Sequence, residues 1–170
     1  MQYRAPQAVA ECCAKISGTT PVLDLDAGTG LLTVALVQQG IELVDGTDIS
    51  PQMLVETEKK NVYQRLFEGD LTQRLEVDEG GYAGVVSSGT FTHGHVGPDA
   101  LEEVLRCMAS GAWAVLSVNA KRGAVEKMFN RMHGKARPRA DLDVAMMPRM
   151  HMVVEEWRMQ QTMHPVKMKR

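Results

Sequence analysis

Residues 22–30, with the sequence VLDLDAGTG, constrain the fold more than any other stretch of the chain. Four residues typical of a buried strand run into a glycine turn, and a helical pattern over residues 31–39 follows, closed by Gly40. A strand, a glycine turn and a helix form the first half of a βαβ unit, whose turn can lie against a nucleotide-like ligand. Asp26 stands where such turns usually have their first glycine. The turn is therefore either a cofactor site or an ordinary connection in an α/β fold.

Strand and helix patterns alternate along the chain, which predicts a mostly parallel sheet with helices on both faces. Ser50 can cap a helix whose first residue is Pro51. The predicted strands are 22–25, 41–47, 63–67, 84–88, 113–118 and 150–157, and the predicted helices are 31–39, 51–60, 101–108 and 125–132. No repeat, low-complexity segment or linker divides the chain. We therefore expect one domain over residues 1–170, with a short N-terminal cap at 1–20 and a C-terminal part at 121–170.

The composition predicts a cytoplasmic protein. No segment approaches the roughly 20 consecutive apolar residues of a membrane helix, and the first twenty residues include charged ones. Cys12, Cys13 and Cys107 match neither a disulfide framework nor a Cys-x-x-Cys metal site. We therefore expect reduced thiols, no metal and no membrane partner.

Charge is divided unevenly along the chain. Residues 1–120 hold 7 Lys and Arg against 16 Asp and Glu, whereas residues 121–170 hold 12 against 5, together with nine of the twelve methionines. The basic, Met-rich tail either attracts an acidic substrate or nucleic acid, or packs on the acidic body and neutralises it. Basic runs without a supporting motif are weak signals, which favours the second interpretation. We expect no nucleic-acid partner, and the sequence leaves a homodimer open.

Acidic and hydroxyl side chains collect where the predicted strands end. Asp26 follows the first strand, Asp48 ends the second and Asp70 follows the third. Ser87 and Ser88 end the fourth strand. Ligands of open α/β sheets bind at these carboxyl ends, near the point where the strand order reverses. The sequence therefore predicts a ligand site at this edge of the sheet.

The position of Asp48 indicates which part of a ligand it would bind. Asp48 lies twenty residues after Gly28, close to the spacing at which an acid in dinucleotide-binding folds contacts the ribose. A vicinal diol offers two donors, and a carboxylate supplies two matched acceptors. The alternative is an aspartate that caps the turn before Ser50. The neighbouring strand-end acids favour ribose binding.

The glycine turn disfavours a dinucleotide. The G-x-G-x-x-G fingerprint needs a small third residue for close helix packing, and Thr33 stands at that position. A pyrophosphate also needs helix N-terminal amides and few carboxylates nearby. A cationic nucleoside without phosphates tolerates acids. S-adenosylmethionine (SAM), which joins adenosine, a sulfonium and an amino acid, is such a ligand.

Four successive stretches resemble the motifs of class I SAM-dependent methyltransferases: VLDLDAGTGLLTVALVQQG, VDGTDISPQML, FEGDL and YAGVVSSGTFTHGHVGPDALEEVLRCMASGAWAVLSVN. They are most similar to the small-molecule type of the Williams-Beuren-region or ubiquinone-biosynthesis methyltransferases, over about residues 20–120. The resemblance implies a Rossmann-like three-layer αβα sandwich, with a seven-stranded, mostly parallel sheet whose last strand is antiparallel. It also implies SAM as the cofactor and methyl transfer to an acceptor, which we expect to be a small molecule.

The resemblance further implies that residues at the strand ends hold SAM. The implied cofactor residues are Asp24, Asp26, Ala27, Gly28, Thr29, Gly30, Asp48, Ile49, Met53, Asp70, Leu71, Ser87 and Ser88. Asp24 and the glycine loop would hold the methionine part of SAM. Asp48 would bind the ribose, Ile49 would flank the adenine and Asp70 would contact the adenine edge. Ser88 would lie near the reacting centre.

Three positions depart from the family pattern. Asp26 replaces the first glycine, Ala83 stands where an aspartate often follows the aromatic residue, and residues 108–111 read MASG in place of Arg-Pro-Gly-Gly. These departures keep two alternatives to a methyltransferase open. One is a non-catalytic relative that binds SAM or a partner, and the weaker one is an NAD(P)-dependent oxidoreductase.

His93 is the candidate catalytic residue. Methyl transfer from SAM requires mainly that the acceptor is held in line behind the methyl group, and a base is needed only when the acceptor loses a proton. His93 belongs to the THGH segment after the fourth strand, and the pKa of a histidine lies near neutrality. The alternative is a solvent-exposed loop histidine. A metal site at His93 and His95 lacks further ligands.

Overall fold

The computed structural model describes residues 4–16, 20–92, 96, 100–119 and 149–154. The elements in these residues are α1 (Ala5–Ala14), β1 (Val22–Leu25), α2 (Leu31–Gln38), β2 (Val44–Asp48), α3 (Pro51–Glu58), β3 (Arg65–Glu68), β4 (Tyr82–Thr92), α4 (Leu101–Cys107), β5 (Met108–Asn119) and β6 (Arg149–Val154). The strands form one sheet in the order β3-β2-β1-β4-β5-β6. The order reverses between β1 and β4, which is where a ligand site is expected.

The six described strands are all parallel. β1 pairs with β2 on one side and with β4 on the other, and β6 pairs with β5 from Trp113 beside Arg149 to Val118 beside Val154. The expectation of an antiparallel last strand is therefore wrong for the described sheet. Residues 120–148 connect β5 to β6 and exceed the dozen or so residues that a parallel crossover needs, so the chain is long enough for this direction.

Most predicted elements are present, with shifted ends. β1 has the predicted bounds, whereas β2 begins at Val44 and not at residue 41. The cause is the end of α2, where Gly40 has a φ of +82° and the N–H of Ile41 donates to the carbonyl of Leu36 at 3.0 Å. Those residues close the helix and cannot start the strand. The N-terminal cap contains the helix α1, and the predicted helix at 125–132 lies outside the described residues.

The hydrophobic core has two layers, one on each face of the sheet. Successive residues of a strand point to opposite faces. Leu23 and Leu25 of β1 therefore pack with α4, whereas Val22 packs with α1 and α2. Trp113 of β5 is buried on the same face as Val22, against Gly84. This arrangement confirms the predicted three-layer αβα sandwich.

Among the described residues, no helix combines the length and apolar character needed to cross a membrane.

The thiols of Cys12, Cys13 and Cys107 form no disulfide bonds. Burial raises the pKa of Cys107 to about 11 and also raises the pKa of Cys13. Both buried thiols therefore stay protonated at neutral pH and behave as packing groups.

Candidate cofactor site

Every second residue from 26 to 30, in the loop between β1 and α2, has a left-handed backbone conformation. Asp26, Gly28 and Gly30 have φ angles of +58°, +55° and +74°. Glycine adopts this region without strain, and aspartate is among the more tolerant of the other residues. Asp26 therefore occupies a conformation that favours glycine, the residue usual at this position of such turns.

Three amide groups of this loop are bound within the protein. The N–H of Ala27 donates to the carbonyl of Thr47 at 2.9 Å, and the N–H of Gly30 donates to the carbonyl of Ala27 at 2.8 Å. The N–H of Gly28 donates to Oδ2 of Asp48 at 2.8 Å. A pyrophosphate at such a turn needs these amides for itself. The hydrogen bonds therefore disfavour a dinucleotide.

Asp48, the last residue of β2, is buried and connects two turns. Its Oδ2 accepts the N–H of Gly28 and its Oδ1 accepts the N–H of Ser50, both at 2.8 Å. The bond to Ser50 is the turn-capping role that the sequence left as the alternative. A carboxylate has about four acceptor sites, so this role leaves two for a ribose diol. Ribose binding by Asp48 stays a prediction.

Asp24 is the most deeply buried acid at this edge of the sheet. It is 1% exposed, and its Oδ2 accepts the hydroxyls of Thr33 at 2.8 Å and Tyr63 at 2.7 Å. Burial raises the pKa of Asp24 to about 7, and the two hydroxyl donors oppose that rise. A cation beside Asp24 would favour the ionised carboxylate. The site therefore suits an ammonium or a sulfonium group.

A cavity of about 180 Å³ lies beside the loop, at the boundary between β1 and β4. Two aspartates, apolar side chains and loop backbone share its walls. The lining residues are Pro6, Asp24, Asp26, Ala27, Gly28, Thr29, Leu31, Leu32 and Ser88. Pockets for whole drug-sized ligands measure about 300–1,000 Å³. This cavity therefore has room for the amino-acid end of SAM, while the nucleoside would extend along the strand ends.

Apolar surface is exposed next to Asp48. Ile49 is 59% exposed and Met53 is 43% exposed. Oγ of Ser50 accepts the N–H of Met53 at 3.4 Å, and Pro51 begins α3, so the predicted cap is present. The cap places Ile49 and Met53 on the solvent side of the strand end. Apolar walls of this kind suit the face of an adenine.

The loop after β3 carries Asp70 and Leu71. Oδ1 of Asp70 accepts the N–H and the hydroxyl of Thr72 at 2.8 and 2.7 Å, and these bonds hold the pKa of Asp70 below its usual range. Leu71 is buried and lines a separate cleft of about 720 Å³ between this loop and α4. Asp70 is thus fixed at the end of β3, outside the lining of the loop cavity.

An ion pair fastens the same loop to α4. The guanidinium of Arg106 donates to Glu103 Oε2 at 2.9 Å and to the carbonyls of Leu75 and Val77 at 3.1 and 2.9 Å. Oε1 of Glu103 accepts the N–H of Leu75 at 2.7 Å. Arginine can bind a carboxylate and carbonyls together because its guanidinium carries five donors. The pair therefore fixes the course of the chain after Asp70.

β4 changes register where it reaches the site. Between Ser87 and Phe91 it has two residues more than the paired part of β5, and Gly89 turns the chain at a φ of +91°. Ser88 consequently lines the cavity, whereas Ser87 is buried and its hydroxyl donates to Oγ1 of Thr90. The two serines, which the sequence treats alike, have different surroundings. His93 lies outside the described residues.

Five residues at the site are missing from the predicted set: Pro6, Leu31, Leu32, Thr33 and Tyr63. Leu31 and Leu32 begin the helix after the glycine turn, so their position beside the cavity could be predicted from that turn. Pro6 reaches the cavity from α1, and Tyr63 lies 39 residues from its partner Asp24. No local pattern signals either of these two contacts.

The fold and the site together define a class of protein. A parallel sheet with β1 near its centre, a glycine loop with three of its amides engaged, and an acid-lined cavity at the switch point are the features expected of a class I SAM-dependent methyltransferase. A family model described as "Methyltransferase domain" matches residues 22–111, just over half of the chain. The chain belongs to this family of class I SAM-dependent methyltransferases.

Named relatives are similar to this chain in sequence or in fold. Human methyltransferase-like protein 27 is 33% identical over 107 residues, which are 60% of this chain and 44% of that protein. A crystal structure from Methanococcus maripaludis, assigned as an S-adenosyl-L-methionine-dependent methyltransferase, has a TM-score of 0.58 at 18% identity and covers 77% of this chain and 63% of its own. A methyltransferase chain in complex with the Trm112 activator of Haloferax volcanii has a TM-score of 0.57 at 22% identity, over 86% and 62%. The chain thus spans less than two thirds of each of these relatives.

SAM is the cofactor of this family, and the residues present fit it. Asp24 and Asp26 supply negative charge where the amino-acid and sulfonium groups would lie. Asp48 retains acceptor sites for a ribose, and Ile49 and Met53 expose apolar surface beside it. The amides of Ala27, Gly28 and Gly30 are already bound within the protein, which disfavours a pyrophosphate at this loop.

Proposed function

We propose that this protein transfers the methyl group of SAM to a small-molecule acceptor. The observation that supports this most is the cavity at the glycine loop, where Asp24 and Asp26 line a space of about 180 Å³ at the switch point of the sheet. Acidic walls favour a cationic ligand, and SAM, the cofactor of this family, carries a positive sulfonium group.

Each residue of the site would bind a different part of SAM, according to its position at the strand ends. Asp24 and the loop from Asp26 to Gly30 would hold the methionine part, and Asp48 would hold the ribose. SAM supplies an activated methyl group on its sulfonium, so the protein mainly has to orient the acceptor in line with it. Ser88, on the cavity wall, would contact the reacting region. His93 would accept a proton from acceptors that must lose one.

The charge of the part of the chain that contains the cavity disfavours a nucleic-acid acceptor. The first 120 residues, which include the whole cavity, hold 16 acidic against 7 basic side chains. Such a field repels the phosphates of a nucleic acid. The three unpaired thiols support a location in the reducing cytoplasm.

The proposal is tested by offering a metabolite panel to the purified protein with methyl-labelled SAM. We expect one class of compound to gain the label, with one demethylated SAM formed for each methyl transferred. Asp24→Asn, which removes the buried charge at the cavity, is the matched negative control. SAM binding with no transfer to any compound would favour the non-catalytic alternative, and no SAM binding would contradict the proposal.

A further inference from the structure

Tyr63 reaches the cofactor site from outside the glycine loop. It lies between α3 and β3, and its hydroxyl donates to Oδ2 of Asp24 at 2.7 Å. Thr33 of α2 donates to the same oxygen at 2.8 Å. Both hydroxyls therefore donate to the same carboxylate oxygen, Oδ2. Burial and the neighbouring Asp24 raise the pKa of Tyr63, so its hydroxyl remains a donor across the neutral range.

Gly46 allows the ring of Tyr63 to reach that position. Gly46 pairs with Asp24 across β1 and β2. A Cβ on Gly46 would lie 2.6 Å from Cε1 and 2.8 Å from Cδ1 of Tyr63, which is closer than carbon atoms approach in proteins. The ring therefore covers the bare backbone of β2. Tyr63 can therefore contact Asp24 only because residue 46 is a glycine and has no side chain.

The ring also contacts the glycine loop. A Cβ on Gly30 would lie 3.4 Å from Cε2 of Tyr63, so the tyrosine packs beside the loop that forms the cavity. Tyr63 is partly buried against the core layer shared by α1 and α2. Its position is therefore set by packing on several sides, and its hydroxyl has little freedom to leave Asp24.

We propose that Tyr63 is a positioning residue of the SAM site, which holds Oδ2 of Asp24 and so fixes the orientation of this carboxylate toward the cationic part of the cofactor. This inference rests on the proposed function. A carboxylate fixed before the ligand arrives does not have to be ordered on binding, which strengthens binding without any contact between the tyrosine and SAM.

The chain contains a matched control for this pair. The hydroxyl of Tyr82 donates to Oδ2 of Asp45 at 2.9 Å, on the opposite face of the sheet and away from the cavity. Tyr63→Phe and Tyr82→Phe each remove one partly buried hydroxyl and one hydrogen bond to an aspartate. They differ in whether that aspartate lines the cofactor cavity.

The test is calorimetric titration of SAM into wild type and both variants, with the melting temperature of each. A hydrogen bond to a charged group corresponds to roughly a tenfold change in affinity. We expect Tyr63→Phe to raise the Kd for SAM about tenfold and Tyr82→Phe to change it less than twofold. Gly46→Ala, which displaces the ring, should act in the same direction as Tyr63→Phe.

A second readout follows Asp24 itself, by NMR titration of protein labelled with 13C in the aspartate carboxyls. Tyr63 favours the ionised form of Asp24, so Tyr63→Phe should move the Asp24 titration to higher pH. The other titratable groups that influence or face Asp24 are Asp26, Asp48 and Cys13, and they are unchanged in this variant. A protein in which Tyr63 only fills space would show no such shift.

The outcomes separate this inference from the proposed function. Wild type that binds SAM, with Tyr63→Phe binding equally well, overturns the inference alone. Equal losses in Tyr63→Phe and Tyr82→Phe, or a loss of affinity with an unmoved Asp24 titration, also overturn it. Wild type that does not bind SAM overturns the proposed function, and the inference with it.

Discussion

Asp26 occupies a backbone position that favours glycine, with a φ of +58°. A left-handed conformation costs a non-glycine residue about 1 kcal/mol or somewhat more, and less for aspartate than for most others. We predict that Asp26→Gly keeps or improves SAM affinity and leaves the melting temperature equal or higher. Calorimetry and thermal melts measure both quantities.

Asn61 provides the control for Asp26, because it is the other described non-glycine residue with positive φ, at +52°. It lies after α3, outside the cavity lining. Asn61→Gly should have a similar effect on stability and none on SAM affinity. A loss of affinity of more than tenfold in Asp26→Gly would mean that the Asp26 carboxylate is itself a SAM ligand.

Asp24 makes the stability of the protein depend on pH. Its pKa is raised to about 7, mainly by burial, whereas an unfolded aspartate titrates near 3.8. The native state therefore holds a proton that the unfolded state has lost between these values. This contribution to the free energy of unfolding is complete below about pH 4 and is lost as the pH rises through 7.

Asp24→Asn tests this linkage. The amide keeps an oxygen for Thr33 and Tyr63 and carries no charge, so we predict that the variant gains stability relative to wild type as the pH rises from 5 to 8. Its SAM affinity should fall at least tenfold, because the cation loses its buried partner. Melting curves at both pH values are the measurement. A stability difference that is the same at pH 5 and pH 8 would contradict the assignment.

At the scale of the element, α3 is attached to the site by one side chain. Thr57 is its buried residue, and the hydroxyl of Thr57 donates to the carbonyl of Gly28. We predict that Thr57→Val, which keeps the shape and removes the hydroxyl, lowers the free energy of unfolding by about 1–2 kcal/mol and weakens SAM binding several-fold. Thr57→Ser should restore both. Chemical denaturation and calorimetry would contradict this if Val and Ser behaved alike.

Elements with a strong local signal were predictable, and those fixed by distant contacts were not. β1 has its predicted bounds because VLDL is buried on both faces and ends at a glycine turn. The start of α3 follows from Ser50 and Pro51 in the same way. The direction of β6 depends on the path of residues 120–148, which no pattern within the strand encodes. The antiparallel last strand was implied by the family resemblance alone, and this implication is wrong for the described sheet.

At the scale of the whole molecule, the topology brings the predicted site together. Parallel strands deliver their carboxyl ends to one edge, so Asp26, Asp48 and Asp70 could be grouped from strand positions alone. The strand pattern does not predict the hydrogen-bond partners of these aspartates. The hydrogen bond between Tyr63 and Asp24 connects residues that are 39 apart in sequence. It forms because the ring of Tyr63 packs against Gly46, and such a contact is visible only in the folded structure.

The central claim is that this α/β sheet binds SAM and not a dinucleotide. Its most direct test is calorimetric titration of the purified protein with SAM and, separately, with NADH under identical conditions. The account predicts saturable one-site binding of SAM and no measurable binding of NADH, because three loop amides are engaged and the cavity walls are acidic. Binding of NADH that is tighter than binding of SAM would contradict it.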